Sequence, residues 1–132
     1  MQALYREFEN IRYSAFYTFY FDTDRDPAAG QLISALRDEE IECEYFIESD
    51  HIFYIQLFLE DDVPEPLCRY HCKKFFRALA QPHFYYFGEL FKADTDWLPY
   101  RKQALNRLDD RFFSAAGELS SSAVNQVFDE TA

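Results

Sequence analysis

Glycine is scarce in this chain: Gly30, Gly88 and Gly117 are the three in 132 residues. Loops that cradle phosphates need glycines close together, so phosphate-loop and dinucleotide-binding motifs are excluded. Cysteine is also sparse and odd in number (Cys43, Cys68, Cys72), which does not make a disulfide framework. No apolar run approaches the roughly 20 residues of a membrane helix. The segment Met1–Glu7 has no basic-then-apolar leader pattern. A cytoplasmic protein without a membrane partner is expected.

Basic residues are the most informative deficit. Residues 1–62 hold 15 Asp and Glu against 4 Arg, a balance of −11. Residues 63–132 hold 9 of each sign, a balance of zero. The whole excess of negative charge therefore lies in the first half. Phosphates would be repelled there, and no cation cluster exists to release counterions, so direct nucleic-acid binding is not expected. A basic protein surface is the natural partner of such a field. The plainer reading is that the acidity keeps an aromatic-rich protein in solution.

What is abundant is apolar and aromatic. Hydrophobic residues reach 48% and aromatics 20%, with 15 Phe and 10 Tyr. This composition buries a core without metal or disulfide support. One domain over residues 1–118 is expected, followed by a tail, 119–132, that is helical or frayed.

Leu4, Phe8 and Ile11 fall at helical spacing, giving a short N-terminal helix. Residues 15–21 are rich in β-formers and apolar on both faces, so they predict a covered strand. Asp26-Pro27 is a helix start, and Ala29, Leu32, Ile33 and Leu36 form the buried stripe. Ile41, Cys43, Tyr45 and Ile47 alternate with Glu42, Glu44 and Glu48, the period of a half-buried strand. Ser49-Asp50 is a two-residue turn signal before a third strand over 52–59. A helix follows with Leu67, Cys68, Cys72, Phe75, Phe76 and Leu79 on one face. Residues 83–91 predict a fourth strand, with Gly88 marking a bulge or a close backbone approach. Pro99 opens a last helix whose stripe is Leu105, Leu108, Phe112 and Ala116.

The order is β-α-β-β-α-β with an extra N-terminal and an extra C-terminal helix. It predicts an α+β, ferredoxin-like fold: a four-stranded antiparallel sheet with two crossover helices on one face. The aromatics of the other face (Phe16, Tyr20, Tyr54, Phe58, Tyr86) then need a terminal helix or a second subunit as cover.

No catalytic set emerges. Cys68, His71 and Cys72 share a helix face, but a structural zinc site needs a fourth ligand and no second Cys/His pair follows. The same spacing is the apolar stripe of that helix. Asp22–Asp26 lacks the glycine and the terminal glutamate of a calcium loop. No metal, cofactor or catalytic residue is expected.

The set that stands out is acidic: Glu39, Glu40, Glu42, Glu44, Glu48, Asp50, Glu60, Asp61 and Asp62, with Tyr45, Phe46 and Tyr54 among them. Carboxylates interleaved with tyrosine suit a binder of a basic protein groove. A regulator or inhibitor of a nuclease or other nucleic-acid enzyme is expected, its acidic face standing in for phosphates. An immunity protein against a co-encoded toxin is physically equivalent. A homodimeric structural module, or a small-ligand domain using Cys68 and His71, are the alternatives.

The element order, the acidity and the run Phe19-Tyr20-Phe21, Leu32-Ile33-Ser34-Ala35-Leu36, Ile41-Glu42-Cys43-Glu44 resemble the family of the regulator of ribonuclease E activity, type B. The resemblance spans about residues 15–92, by matching element order. It implies an acidic ferredoxin-like domain that inhibits RNA cleavage by binding the nuclease. The family has glycine before its second strand, where this chain has Glu40-Ile41. It carries Gly-Trp late in its fourth strand, where this chain has Tyr86-Phe87-Gly88-Glu89. The resemblance assigns no residue of this chain a role.

Overall fold

The computed structural model describes residues 11–22, 26–60, 64–79, 81–113 and 116–119. The expected helix over 4–10, the side chains of Asp26, Pro27 and Phe112, and the tail beyond 119 lie outside the described residues; Ile11 is irregular. The chain order is β1 (Tyr13–Tyr20), α1 (Asp26–Asp38), β2 (Glu42–Ile47), β3 (Ile52–Leu59), α2 (Glu65–Ala78), β4 (Phe84–Phe87), β5 (Phe91–Lys92), α3 (Leu98–Arg107), a 3-10 turn (Leu108–Phe113) and β6 (Gly117–Leu119).

Six aromatic or β-branched residues in eight favour the extended backbone of β1. Both its faces are buried, as a central strand requires. The described fold is α+β, with one mixed sheet of six strands in the order β2-β3-β1-β4-β6; β5 also pairs with β1. All pairs are antiparallel except β4 with β6.

The expected four-stranded antiparallel sheet is therefore corrected, and the causes are local. Gly88 splits the strand expected over 83–91. Its N–H donates to the Phe16 carbonyl at 2.8 Å, and a Cβ there would stand 2.1 Å from that oxygen. The chain breaks at this close approach and returns as β5. The last helix also ends earlier than its stripe predicts. It tightens to 3-10 geometry at Leu108, and Ala116 is exposed. Gly117, at φ 128°, then turns the chain into β6, a conformation that favours glycine. The expected boundary after residue 118 falls inside this strand.

Two cores flank the sheet. The first joins the inward residues of β1 and β3 to α1 (Ala29, Leu32, Ile33, Leu36) and α2 (Cys68, Cys72, Phe75, Phe76). Leu67 and Leu79, expected on that stripe, are exposed at the ends of α2. The second core covers the opposite face. Phe16, Tyr54, Tyr86 and Phe91, with Leu119 of β6 beside Tyr86, pack with Ala104 and Leu108. Thr18 Oγ1 donates to the Ala104 carbonyl at 3.1 Å, and Phe91 stacks on Tyr100 with centroids 4.2 Å apart. Of the aromatics expected on that face, Phe16, Tyr54 and Tyr86 are thus buried with C-terminal residues, Tyr20 packs against them, and Phe58 is half-buried. Among the described residues no helix is long and apolar enough to cross a membrane.

Candidate functional site: an acidic sheet edge

The acidic set gathers on β2 because of how α1 ends. Glu39 and Ile41 N–H groups donate to the Leu36 carbonyl at 3.1 and 3.0 Å, and Glu40 N–H to the Arg37 carbonyl at 2.9 Å. Such a helix end needs a left-handed residue, usually glycine. Here it is Glu40, at φ 61°. A side chain in this conformation costs roughly 1–2 kcal/mol. The chain reverses and enters β2 at the margin of the sheet.

The pairing of β2 with β3 alternates its side chains between the two faces. Glu42, Glu44 and Phe46 oppose Phe58, Gln56 and Tyr54, while Cys43, Tyr45 and Ile47 oppose Leu57, Ile55 and Phe53. The expectation that Tyr45 and Ile47 are half-buried is corrected. Tyr45 is 43% exposed, Phe46 39% and Ile47 54%. The first core is built over the inner strands, and β2 contributes only Cys43 to it. An edge strand has one neighbour, and alternation in sequence does not reveal which strand that is.

Glu39, Glu40, Glu42, Glu44 and Tyr45 are thus brought together along one exposed margin. Glu48 and Asp50 are exposed in the hairpin that extends it. The turn falls one residue later than Ser49-Asp50: Ser49 and Ile52 exchange N–H to carbonyl bonds at 3.1 and 3.4 Å around Asp50-His51, and Glu48 N–H shares the Ile52 carbonyl at 3.0 Å, which makes a bulge. Glu60 lies exposed beyond the far end of β3 from this hairpin. Tyr54 is buried beneath the second face and stacks on Phe46 with centroids 5.1 Å apart, so it supports the surface without forming it. Asp61 and Asp62 lie outside the described residues. Residues 38–62 contain ten Asp and Glu and no Lys or Arg. Ile47 was missed by the sequence reading, which turned it inward.

The other chemistry-bearing groups are disposed differently. All three thiols are free and buried. Burial pushes Cys43 up to about 12 and Cys68 up to about 11, and raises Cys72 well above its ordinary value. Protonated buried thiols are poor nucleophiles and poor ligands. His71 leaves them for Glu39, its Nε2 3.8 Å from Oε2. Tyr17, fully buried, donates its hydroxyl to Glu65 Oε1 at 2.5 Å, and Arg69 Nε reaches the same oxygen at 2.6 Å. Burial, then this hydrogen bond, raises the Tyr17 phenol and keeps it neutral. That network pins α2 to β1. His51 and His83, scattered in sequence, meet at one end of the sheet on either side of Tyr20, at 6.1 and 6.5 Å between ring centroids. His83 Nδ1 lies 3.0 Å from Asp22 Oδ2, but both side chains are well exposed, the geometry of a surface ion pair. Among the described residues no group of three His, Cys, Asp or Glu could hold a metal.

Comparison with protein-family models, curated proteins and solved structures finds no match to this chain.

Proposed function

We propose that this chain is a protein-binding regulator or inhibitor that covers a basic surface of its partner with the acidic margin around β2. One observation carries the reading: exposed Tyr45, Phe46 and Ile47 stand among Glu39, Glu40, Glu42, Glu44, Glu48 and Asp50, in a stretch without a single Lys or Arg. Exposed apolar side chains supply buried area, and the carboxylates steer and select a cationic partner. A nuclease or another enzyme of nucleic acids fits best, because its substrate channel is basic. A co-encoded toxin with such a channel is the same physical case. We read the segment from β1 to β4 as a ferredoxin-like core on which this margin is displayed. Phe16 and Tyr86 share a buried cluster with residues of α3 and the 3-10 turn, so that part of the second face has cover within the chain.

The test is capture of partners by the tagged chain at low and high ionic strength, beside a Glu39→Gln/Glu42→Gln/Glu44→Gln/Glu48→Gln variant. A basic partner held at low salt, released at high salt and lost by the variant supports the reading. A partner held equally by both chains at every salt concentration sinks it.

A further inference from the structure

The margin that carries the acidic set is also an open strand edge, and its backbone makes a more specific statement than its charge. Glu48 N–H donates to the Ile52 carbonyl at 3.0 Å, and on the other side of β3 Phe21 N–H donates to the His51 carbonyl at 2.8 Å, so the even-numbered residues of β3 bond to β2 and the odd-numbered ones to β1. Pairs alternate along an antiparallel ladder. Phe46, Glu44 and Glu42 therefore bond to β3, while the N–H and C=O groups of Cys43, Tyr45 and Ile47 point away from it. The Cys43 carbonyl is taken by the Arg37 guanidinium, 3.0 Å away, which agrees with this assignment. Among the described residues β2 has no second neighbouring strand. The backbone groups of Tyr45 and Ile47 thus form a short row ready to pair with another chain.

Resting on the acidic-margin reading above, we infer that the partner contributes an extended basic segment that adds to β2 as a further strand. The two faces of β2 specify its pattern. On one face it meets Glu42 and Glu44, which call for Lys or Arg. On the other it meets Tyr45 and Ile47, which call for apolar side chains. Since side chains alternate along a strand, the fitting segment alternates basic with apolar residues. A second copy of this chain does not meet the requirement. Antiparallel pairing of β2 with β2 would set glutamates against glutamates, and like charges facing across strands are destabilising.

The experiment uses the full chain and a synthetic peptide alternating lysine with valine. It is compared with the same peptide N-methylated on alternate residues, so that the edge facing β2 has no N–H donors. Binding is followed by fluorescence anisotropy and amide hydrogen exchange. The unmethylated peptide is expected to bind at low ionic strength and to slow exchange of the Tyr45 and Ile47 amides. N-methylation should weaken it at least about tenfold, the loss of one or two net hydrogen bonds. Tyr45→Pro removes one outward N–H without touching the bonds to β3, a substitution that edge strands tolerate. It should weaken binding by a similar factor while thermal unfolding stays cooperative. Equal binding of both peptides would overturn strand addition and leave the acidic-margin reading standing. Absence of binding by either peptide at low salt would overturn both. Tyr45 and Ile47 amides already protected without peptide would show the edge occupied by this chain or a second copy, and would also overturn the inference.

Discussion

The two margins of the sheet are finished in opposite ways. At one, β6 pairs with β4 for three residues and buries Leu119, and Glu118 meets Lys73 of α2 at 3.0 Å. At the other, β2 runs for six residues, buries only Cys43, and shows carboxylates and three large apolar side chains to solvent. Natural sheets blunt their edges with short strands and charges, because an open edge invites pairing. The β6 margin is closed by shortness and by a covering ion pair. The β2 margin carries charge of one sign only, which repels a copy of itself but not a basic chain. The difference teaches that carboxylates with no cation among them are gathered along one edge and not the other.

The largest effects separate the well-covered side from the open one. Leu108→Ala, at the first residue of the 3-10 turn and buried in the second core, should destabilise by roughly 2–5 kcal/mol. Ile47→Ala, at the open margin, should cost no more than about 0.5 kcal/mol. Urea unfolding of the two variants checks this, and comparable losses would break the comparison.

Alkali should act next. The folded state holds Cys43 and Cys68 protonated, up to about 12 and about 11 against an ordinary 9.0. Each group's folded value is raised, so its contribution is complete below pH 9 and is lost as pH climbs toward about 11 for Cys68 and about 12 for Cys43. The slope is roughly 1 kcal/mol per pH unit for each thiol. Urea midpoints at pH 8 and pH 10 should show this fall, and Cys43→Ala should flatten it. A flat profile in the parent protein would mean that β2 is not anchored through a buried thiol.

Glu40→Gly should stabilise the fold by about 1 kcal/mol, because glycine accepts the left-handed turn at φ 61°. If the carboxylate serves the margin, the same variant should hold a basic partner less well. Smallest of all is Tyr86→Phe. The Tyr86 hydroxyl is buried with no hydrogen-bond partner among the described residues, so its removal should be neutral or slightly stabilising in thermal unfolding. A loss above about 1 kcal/mol would reveal a partner for it.

Much of this architecture was legible in the residues. The stripe Ala29, Leu32, Ile33 and Leu36 is the buried face of α1, because helical periodicity reports burial directly. The two-faced aromatic strand is central, as its lack of a polar face required. Gly88 sits at a close backbone approach, which a lone glycine in a strand pattern signals. Less legible were the short elements. Two- and three-residue strands such as β5 and β6 have no periodicity to read, and the stripe past Leu108 reads the same for a 3-10 turn as for a continuing helix. At the candidate site, the carboxylates were identifiable by composition. Tyr45 and Ile47 read as inward, and Tyr54 as surface, because alternation assigns a side of the sheet without saying whether anything covers it.

The sequence by itself determined the order of the main strands and helices, the faces that α1 and α2 bury, and the confinement of the net negative charge to the first half. Those depend on local spacing and composition. Only the tertiary structure decided that β2 stands at a margin, that α3 and the 3-10 turn cover the β1 and β4 side of the second face, and that C-terminal residues close the opposite edge. Each of these depends on which distant segments meet. Exposure belongs to those meetings and not to any residue alone.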